Sequence, residues 1–454
     1  MSGPRGCRGG VENGWTLGRG GFLLRRMKLS RTTLTALAVL LTTLPALALE
    51  RRSWLTIEGR SFEGELQKVF GNQVTILETG GKPAQFDRAT LSLGDNDYIR
   101  ENFPDPKLAG FGSTAGTPAH VPQPAKTVKI DPKSFKLGAG TFVLPTDTFD
   151  MMETPHFKVM YQKPLDPHDM GELAERMWLD AAFFHTGFPK KFGSNKMAIF
   201  LATGYNQYDR IGQWYADQMT KAGQQEIAAK IAATWPRSAS GSMNLTEEIM
   251  GKNAVVQHAR VFRAYREPAA AGQKAEMIRG VWTPFFVHCL AEDLLAVNVG
   301  GIANTGEKGW YAISTGHAYH KEINLTGKTE TNLVRTQSAI AKDVSTIGGF
   351  QDAKNWAPEL KKLIRKGEVK PTLETLYVLT LEGSDAKGNV LAYAWSCYLE
   401  SSMTKLAAFN KLLEQVGAAN KVPEPAELAK TFGFDSVSAM EADFMKFLTS
   451  ADFR

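Results

Sequence analysis

Thr283-Pro284-Phe285-Phe286-Val287-His288-Cys289-Leu290-Ala291-Glu292-Asp293-Leu294-Leu295 reads as the middle of an apolar helix over 281–296, with His288 and Glu292 one turn apart on one face. Metal-binding helices of the pattern H-E-x-x-H use the same spacing. Two histidines one turn apart bind zinc there, and the glutamate between them is the general base. In this chain His288 keeps the first position, Cys289 stands where the base belongs, and Glu292 stands where the second histidine belongs. The helix has the spacing of a catalytic scaffold without its chemistry.

Working outward, Gly309-Trp310-Tyr311-Ala312-Ile313-Ser314-Thr315-Gly316-His317-Ala318-Tyr319-His320 is a second helical stretch. Upstream, Thr154–Tyr161 alternates as a strand, 169–184 has helical spacing, and Lys196–Leu201 is an apolar strand. Helices are expected from Asn206, over 218–233, and near 357–366, 371–380, 390–416, 424–431 and 436–448, with a strand inside 254–265. Strands first and then mostly helices argue for an α+β domain over 140–454.

In order and local pattern this domain resembles the exported, gluzincin-like (peptidase MA-like) families. The resemblance rests on Thr154, His156, Phe157 and Val159 in the opening strand, on the 283–295 helix, and on the Gly309-Trp310 helix. Phe432-Gly433-Phe434-Asp435 and Glu441-Ala442-Asp443-Phe444 match the helical tail. With the family's glycine placed at Gly316, Thr315 stands where the third ligand, a glutamate, belongs. The resemblance therefore implies a zincin-like domain that has lost its metal site, with His288, Cys289, Glu292 and Thr315 as the remnant and no cofactor. A thiol at 289 does not replace the base, because next to zinc it would ligate rather than relay a proton. The alternative is an active metallohydrolase in which His288 and Glu292 join His317 and His320 around zinc.

Residues 51–101 form a separate pattern of short β-like runs divided by turn signals at Glu58-Gly59-Arg60, Phe70-Gly71-Asn72 and Thr79-Gly80-Gly81-Lys82, as in a small barrel. Arg52, Trp54, Gly59 and Arg60, then Val74–Leu77, Gly80-Gly81-Lys82 and the run Leu91-Ser92…Asp95…Tyr98-Ile99 resemble the SLA-one homology domain one, a Src-homology-3-like barrel. That resemblance implies a protein or peptide ligand, with Trp54, Phe62 and Phe86 as candidate binding residues. The bland alternative is that these aromatics fill a small core. Between the two units, residues 103–139 carry six prolines among Gly, Ala, Ser, Thr and Lys and read as a linker.

Residues 27–48 read as a signal peptide: Lys28 and Arg31, an apolar core over 34–44, and Ala46-Leu47-Ala48 before the cut. Residues 1–48 form the leader; a signal peptide seldom starts so far in, so Met27 is the expected start, and the exported product is a periplasmic or extracellular chain. The leader carries seven of the 53 basic residues and one of the 47 acidic ones, so the remainder is formally neutral. Charge thus gives no argument for nucleic acid. No later apolar run is long enough for a transmembrane helix. Cys289 and Cys397 read as buried thiols, with a disulfide as the alternative. Ser238–Ser242 reads as a loop without the G-x-S-x-G elbow, and Arg260, Arg263 and Arg266 read as one solvated face. The glycine pairs at 300–301 and 348–349 lack dinucleotide spacing. The sequence thus leads to an exported, non-catalytic binding or scaffold protein: a small barrel (49–102), a linker, and a pseudo-peptidase domain. The rivals are the metallohydrolase and an adaptor acting only through its barrel.

Overall fold

Four strands open the computed structural model: β1 (Arg52–Leu55), β2 (Ser61–Phe70), β3 (Gln73–Glu78) and β4 (Pro83–Asp87), paired antiparallel in sequence order. The structure describes residues 50–102, 121, 124–145, 147–163, 165–246, 257–263, 265–266, 276–277, 282–300, 308–329, 331, 353–381 and 384–454. The leader, including the signal-peptide reading, lies outside them. A bulge between Leu66 and Lys68 bends β2, and a Thr56–Leu91 bridge ties the end of β1 to the chain beyond β4. The run from Leu91 to Ile99 has a structural explanation. Ser92 Oγ caps α1 (Leu93–Asn102) by accepting from Asp95 N at 3.1 Å and donates to the Asp95 carboxylate, which also accepts from Leu55 N at 2.9 Å and pairs with Arg52 at 2.9 Å. The Arg52 guanidinium lies 4.3 Å from the Tyr98 ring centre, and Tyr98 meets Trp54 edge to face.

The larger domain is mixed α and β. Its six-stranded sheet runs in the order β5 (Lys136–Val143), β6 (Thr148–Glu153), β7 (Phe157–Tyr161), β8 (Met197–Ala202), β10 (Gln257–Arg263), β9 (Ser240–Leu245). β7, β8 and β10 are parallel; the other neighbours are antiparallel. The parallel step from β7 to β8 requires a crossover, supplied by α2 (His168–Phe184). All six residues of β8 are buried, because both faces of the sheet are covered. One face, through Val159, Ile199 and Phe262, packs on α2 and on α5 (Trp282–Asn298). The other, through Phe200 and Val261, packs on α3 (Tyr205–Lys221) and α4 (Gln225–Thr234). A helical layer follows, with α6 (Trp310–Thr326), α7 (Trp356–Arg365), α8 (Ala386–Leu399), α9 (Met403–Ala419) and α10 (Val437–Thr449) around Trp310, Trp356 and Trp395. At Gly316 a Cβ would stand 2.2 Å from the Ala392 carbonyl oxygen, so the absence of a side chain lets α6 and α8 touch.

Several expectations change. The expected linker is partly structured: Ala125 and Val128 are buried, and β5 begins at Lys136, inside the segment that composition assigns to a linker. The four-stranded unit is docked rather than tethered. Leu93 shares a core with Phe183, Phe184, Met403 and Leu406, and Gly59, at φ +78°, sits against Val128 and Leu179. The expected 390–416 helix is two helices, broken where the Ser402 side chain caps α9. Among the described residues no helix is long and apolar enough to cross a membrane.

Candidate functional site

The α5–α6 contact brings His288, Glu292 and Thr315 together, as the sequence suggests. His288 is fully enclosed; its Nε2 lies 3.4 Å from Glu292 Oε1, and Thr315 Oγ1 donates to that oxygen at 3.0 Å. The other ring nitrogen, Nδ1, meets Glu322 Oε2 at 3.0 Å, and Glu322 is buried as completely as His288. Thr331 donates to the same carboxylate from its backbone N–H (3.2 Å) and its hydroxyl (2.9 Å). Sequence reading missed Glu322. Its signal was the stripe Thr315, Tyr319, Glu322, which is i, i+4, i+7 on one helix face; Tyr319 packs edge-on against His288 at 4.5 Å.

Cys289, one residue further round α5, turns toward the sheet, where its Sγ is 3.4 Å from Ser240 Oγ. Ser240 is the first residue of β9, so Ser238–Ser242 is not the loop expected, and β9 closes one edge of the sheet. Arg260 also departs from expectation. It does not stand on a solvated face: its side chain is mostly buried and grips Asp293 with two nitrogens, Nε at 2.7 Å from Oδ2 and Nη2 on Oδ1. Burial alone would lower the guanidinium's pKa. The Asp293 carboxylate outweighs burial and, with Cys289 and Glu292, raises it. Burial would likewise raise the pKa of Asp293, but Arg260 and then His258 hold it down. A permanent cation therefore sits beside Cys289 and Glu292.

The other half of the alternative ligand set lies elsewhere. At about 100° per residue, Thr315, Tyr319 and Glu322 share one face of α6, whereas His317, His320 and Lys321 occupy the opposite one. His317 Nδ1 is 2.8 Å from Glu400 Oε1. His320 Nδ1 is 3.2 Å from the same oxygen but lacks hydrogen-bond geometry, so His317 is the partner that holds it. Lys321 bridges Glu400 (3.0 Å) and Asp180 (2.8 Å). Burial opposes ionisation of Glu400, yet Lys321, His320 and His317 hold its carboxyl well below the usual range. Burial lowers the pKa of His317 against the pull of Glu400. Burial would lower the pKa of Lys321, but Asp180 and Glu400 raise it, so Lys321 is a fixed cation of this cluster.

Zinc needs about four nitrogen, sulfur or carboxylate donors converging on one point. Glu292 brings one carboxylate to His288 Nε2, Thr315 engages that carboxylate, and His317 and His320 face away. Among the described residues no three of His, Cys, Asp and Glu are placed to hold a metal. Among the described residues the donor set does not fit the ion. Cys289 and Cys397 are both free thiols, the former buried and the latter half-buried; burial pushes the Cys397 thiol pKa up.

On the four-stranded unit, Trp54 is core: it is fully buried and its indole N–H donates to the Gly64 carbonyl at 3.0 Å. Phe62 and Phe86 are half-buried and stack on each other with ring centres 4.9 Å apart. Arg60 lies over both rings and pairs with Glu78 at 2.6 Å. The three aromatics thus divide into one core residue and one surface pair. Comparison of the chain with protein families, with characterised proteins and with solved structures finds no match in any of the three.

Proposed function

We propose that this chain is an exported, non-catalytic binding protein, in which a barrel like the SLA-one homology domain presents a ligand surface and a zincin-like domain serves as its scaffold. The observation that carries the reading is the closure of the would-be catalytic helix α5 against α6 and β9. Both ring nitrogens of His288 face carboxylates of this chain, and the position of the base is a thiol packed against β9. A general base must reach the proton it moves within hydrogen-bond distance, and the Cys289 side chain is a thiol set 3.4 Å from Ser240 Oγ on the sheet side of the helix. The altered-ligand metallohydrolase draws no support, because His317 and His320 lie on the face of α6 turned away from His288 and Glu292 of α5. Export rests on the order of residues 27–48.

The binding half rests on the Arg60–Phe62–Phe86 surface, where a stacked aromatic pair and a cation offer both apolar contact and charge. The test is a peptide array probed with the whole chain, repeated with Phe62→Ser and Arg60→Ser. Peptides retained by the parent should lose about tenfold in affinity in either variant, the cost of one interface contact of about 1.4 kcal/mol. Retention unchanged in both variants would remove the barrel surface from the account.

A further inference from the structure

Where the barrel docks, it encloses a cavity of about 490 Å³ against the larger domain. That size falls within the range of roughly 300–1,000 Å³ typical of small-molecule sites. Five stretches that are distant in sequence build it: β1 with the following turn, Ser92 to Asp95 at the start of α1, residues 128–134, Pro155-His156, and α2 with the chain just beyond it. Leu55, Ile130, Leu179 and Ala182 give it an apolar body. One wall is the His156–Trp178 pair, stacked at 3.5 Å and within 9° of parallel.

The charges around it are unequal in what they have left to offer. Asp95 is used up by Leu55 N, Ser92 Oγ and Arg52. Glu175 is used up by Thr154 Oγ1 (2.6 Å), His156 N (2.8 Å) and His156 Nδ1 (2.7 Å). Asp131 lies at the mouth, one of its oxygens accepting from Lys133 N. Lys129 and Lys190 also line the cavity, both exposed and neither with an ion-pair partner among the described residues. Two lysines and one partly engaged carboxylate thus line the cavity beside its apolar and aromatic interior.

We propose that this seam is a second binding site, taking a small carboxylate with an apolar or aromatic body, either a free acid or the C-terminal residue of a peptide. The stacked pair and the aliphatic walls hold the body, and Lys129 and Lys190 neutralise the carboxylate at the rim. The site uses none of Arg60, Phe62 or Phe86, so it stands whether or not the barrel surface binds peptides.

The test is calorimetric titration of the mature chain with 3-phenylpropionate, with N-acetyl-Ala-Phe, and with the C-terminal amide of that dipeptide. Both acids should bind, and the amide should be at least tenfold weaker. A Lys129→Ala/Lys190→Ala double variant should bind the acids about tenfold more weakly while melting at the parent's temperature. Tighter binding of the dipeptide identifies a peptide C-terminus as the source, and tighter binding of phenylpropionate identifies a free acid. Failure of both acids to bind at millimolar concentration, equal affinity for acid and amide, or full affinity in the double variant would each overturn the proposal.

Discussion

Lowering the pH from 8 to 5 should weaken the fold through His185 before the carboxylates titrate. His185 ends α2, faces His317 of α6 at 5.7 Å between ring centres, and bonds Asn410 of α9 through Nδ1 at 3.1 Å. Burial, reinforced by His317 and Lys321, pushes its pKa from 6.5 down to about 3. The unfolded chain takes up a proton below pH 6.5 that the folded chain refuses. Stability from this group is therefore complete above 6.5 and is lost as the pH falls from there toward 3. At about 1.4 kcal/mol per unit over the one and a half units down to pH 5, the loss is about 2 kcal/mol. His317, whose pKa burial lowers, acts in the same direction. Glu400 stays ionised in this window, because Lys321, His320 and His317 outweigh its burial, and Lys321 stays charged beside Asp180 and Glu400. The assay is urea unfolding at several pH values for the parent and for His185→Gln, which keeps a donor for Asn410. The parent should lose about 2 kcal/mol or more, and the variant about 2 kcal/mol less than the parent. A parent insensitive to pH, or a variant with the same slope, would refute the reasoning.

Asp293→Ala strands the Arg260 guanidinium in the interior and should cost about 3–5 kcal/mol in urea melts, most of it recovered by pairing Asp293→Leu with Arg260→Met. Gly316→Ala forces a Cβ to within 2.2 Å of the Ala392 carbonyl and should cost about 1–3 kcal/mol, read as a lowered melting temperature. Exported protein should begin at Leu49 by N-terminal sequencing, and retention of Lys28 would contradict the signal-peptide reading.

The helices with one apolar stripe were the most legible. The 169–184 and 436–448 readings match α2 and α10 within a residue at each end, and the apolar run at 196–201 matches β8. β9 was illegible because Ser240-Gly241-Ser242 carries loop chemistry. It is a strand because Gly241 lets the Trp235 ring lie on it, a tertiary contact with no local signal. β5 was hidden in a proline-rich stretch for the same reason: its pairing with β6 comes from the partner strand, not from its own exposed, Gly-containing sequence. At the site, His288, Glu292 and Thr315 were found because helical spacing brings two of them to one face and alignment to a known pattern supplies the third. Glu322 and Arg260 were missed because their partners lie 34 and 33 residues away, across helix and sheet packing that composition does not encode. The separation of His288 from His317 was readable in principle, since helical phase alone sets Thr315 and His317 about 200° apart on α6.

The account turns on the α5–α6 contact being a closed polar interface and not a metal centre. Elemental analysis of protein never exposed to a chelator, run beside His288→Ala, tests this most directly. Two missing donors and a neighbouring guanidinium predict far less than one zinc per chain, with no difference between parent and variant. A ratio near one in the parent that falls in His288→Ala would contradict it.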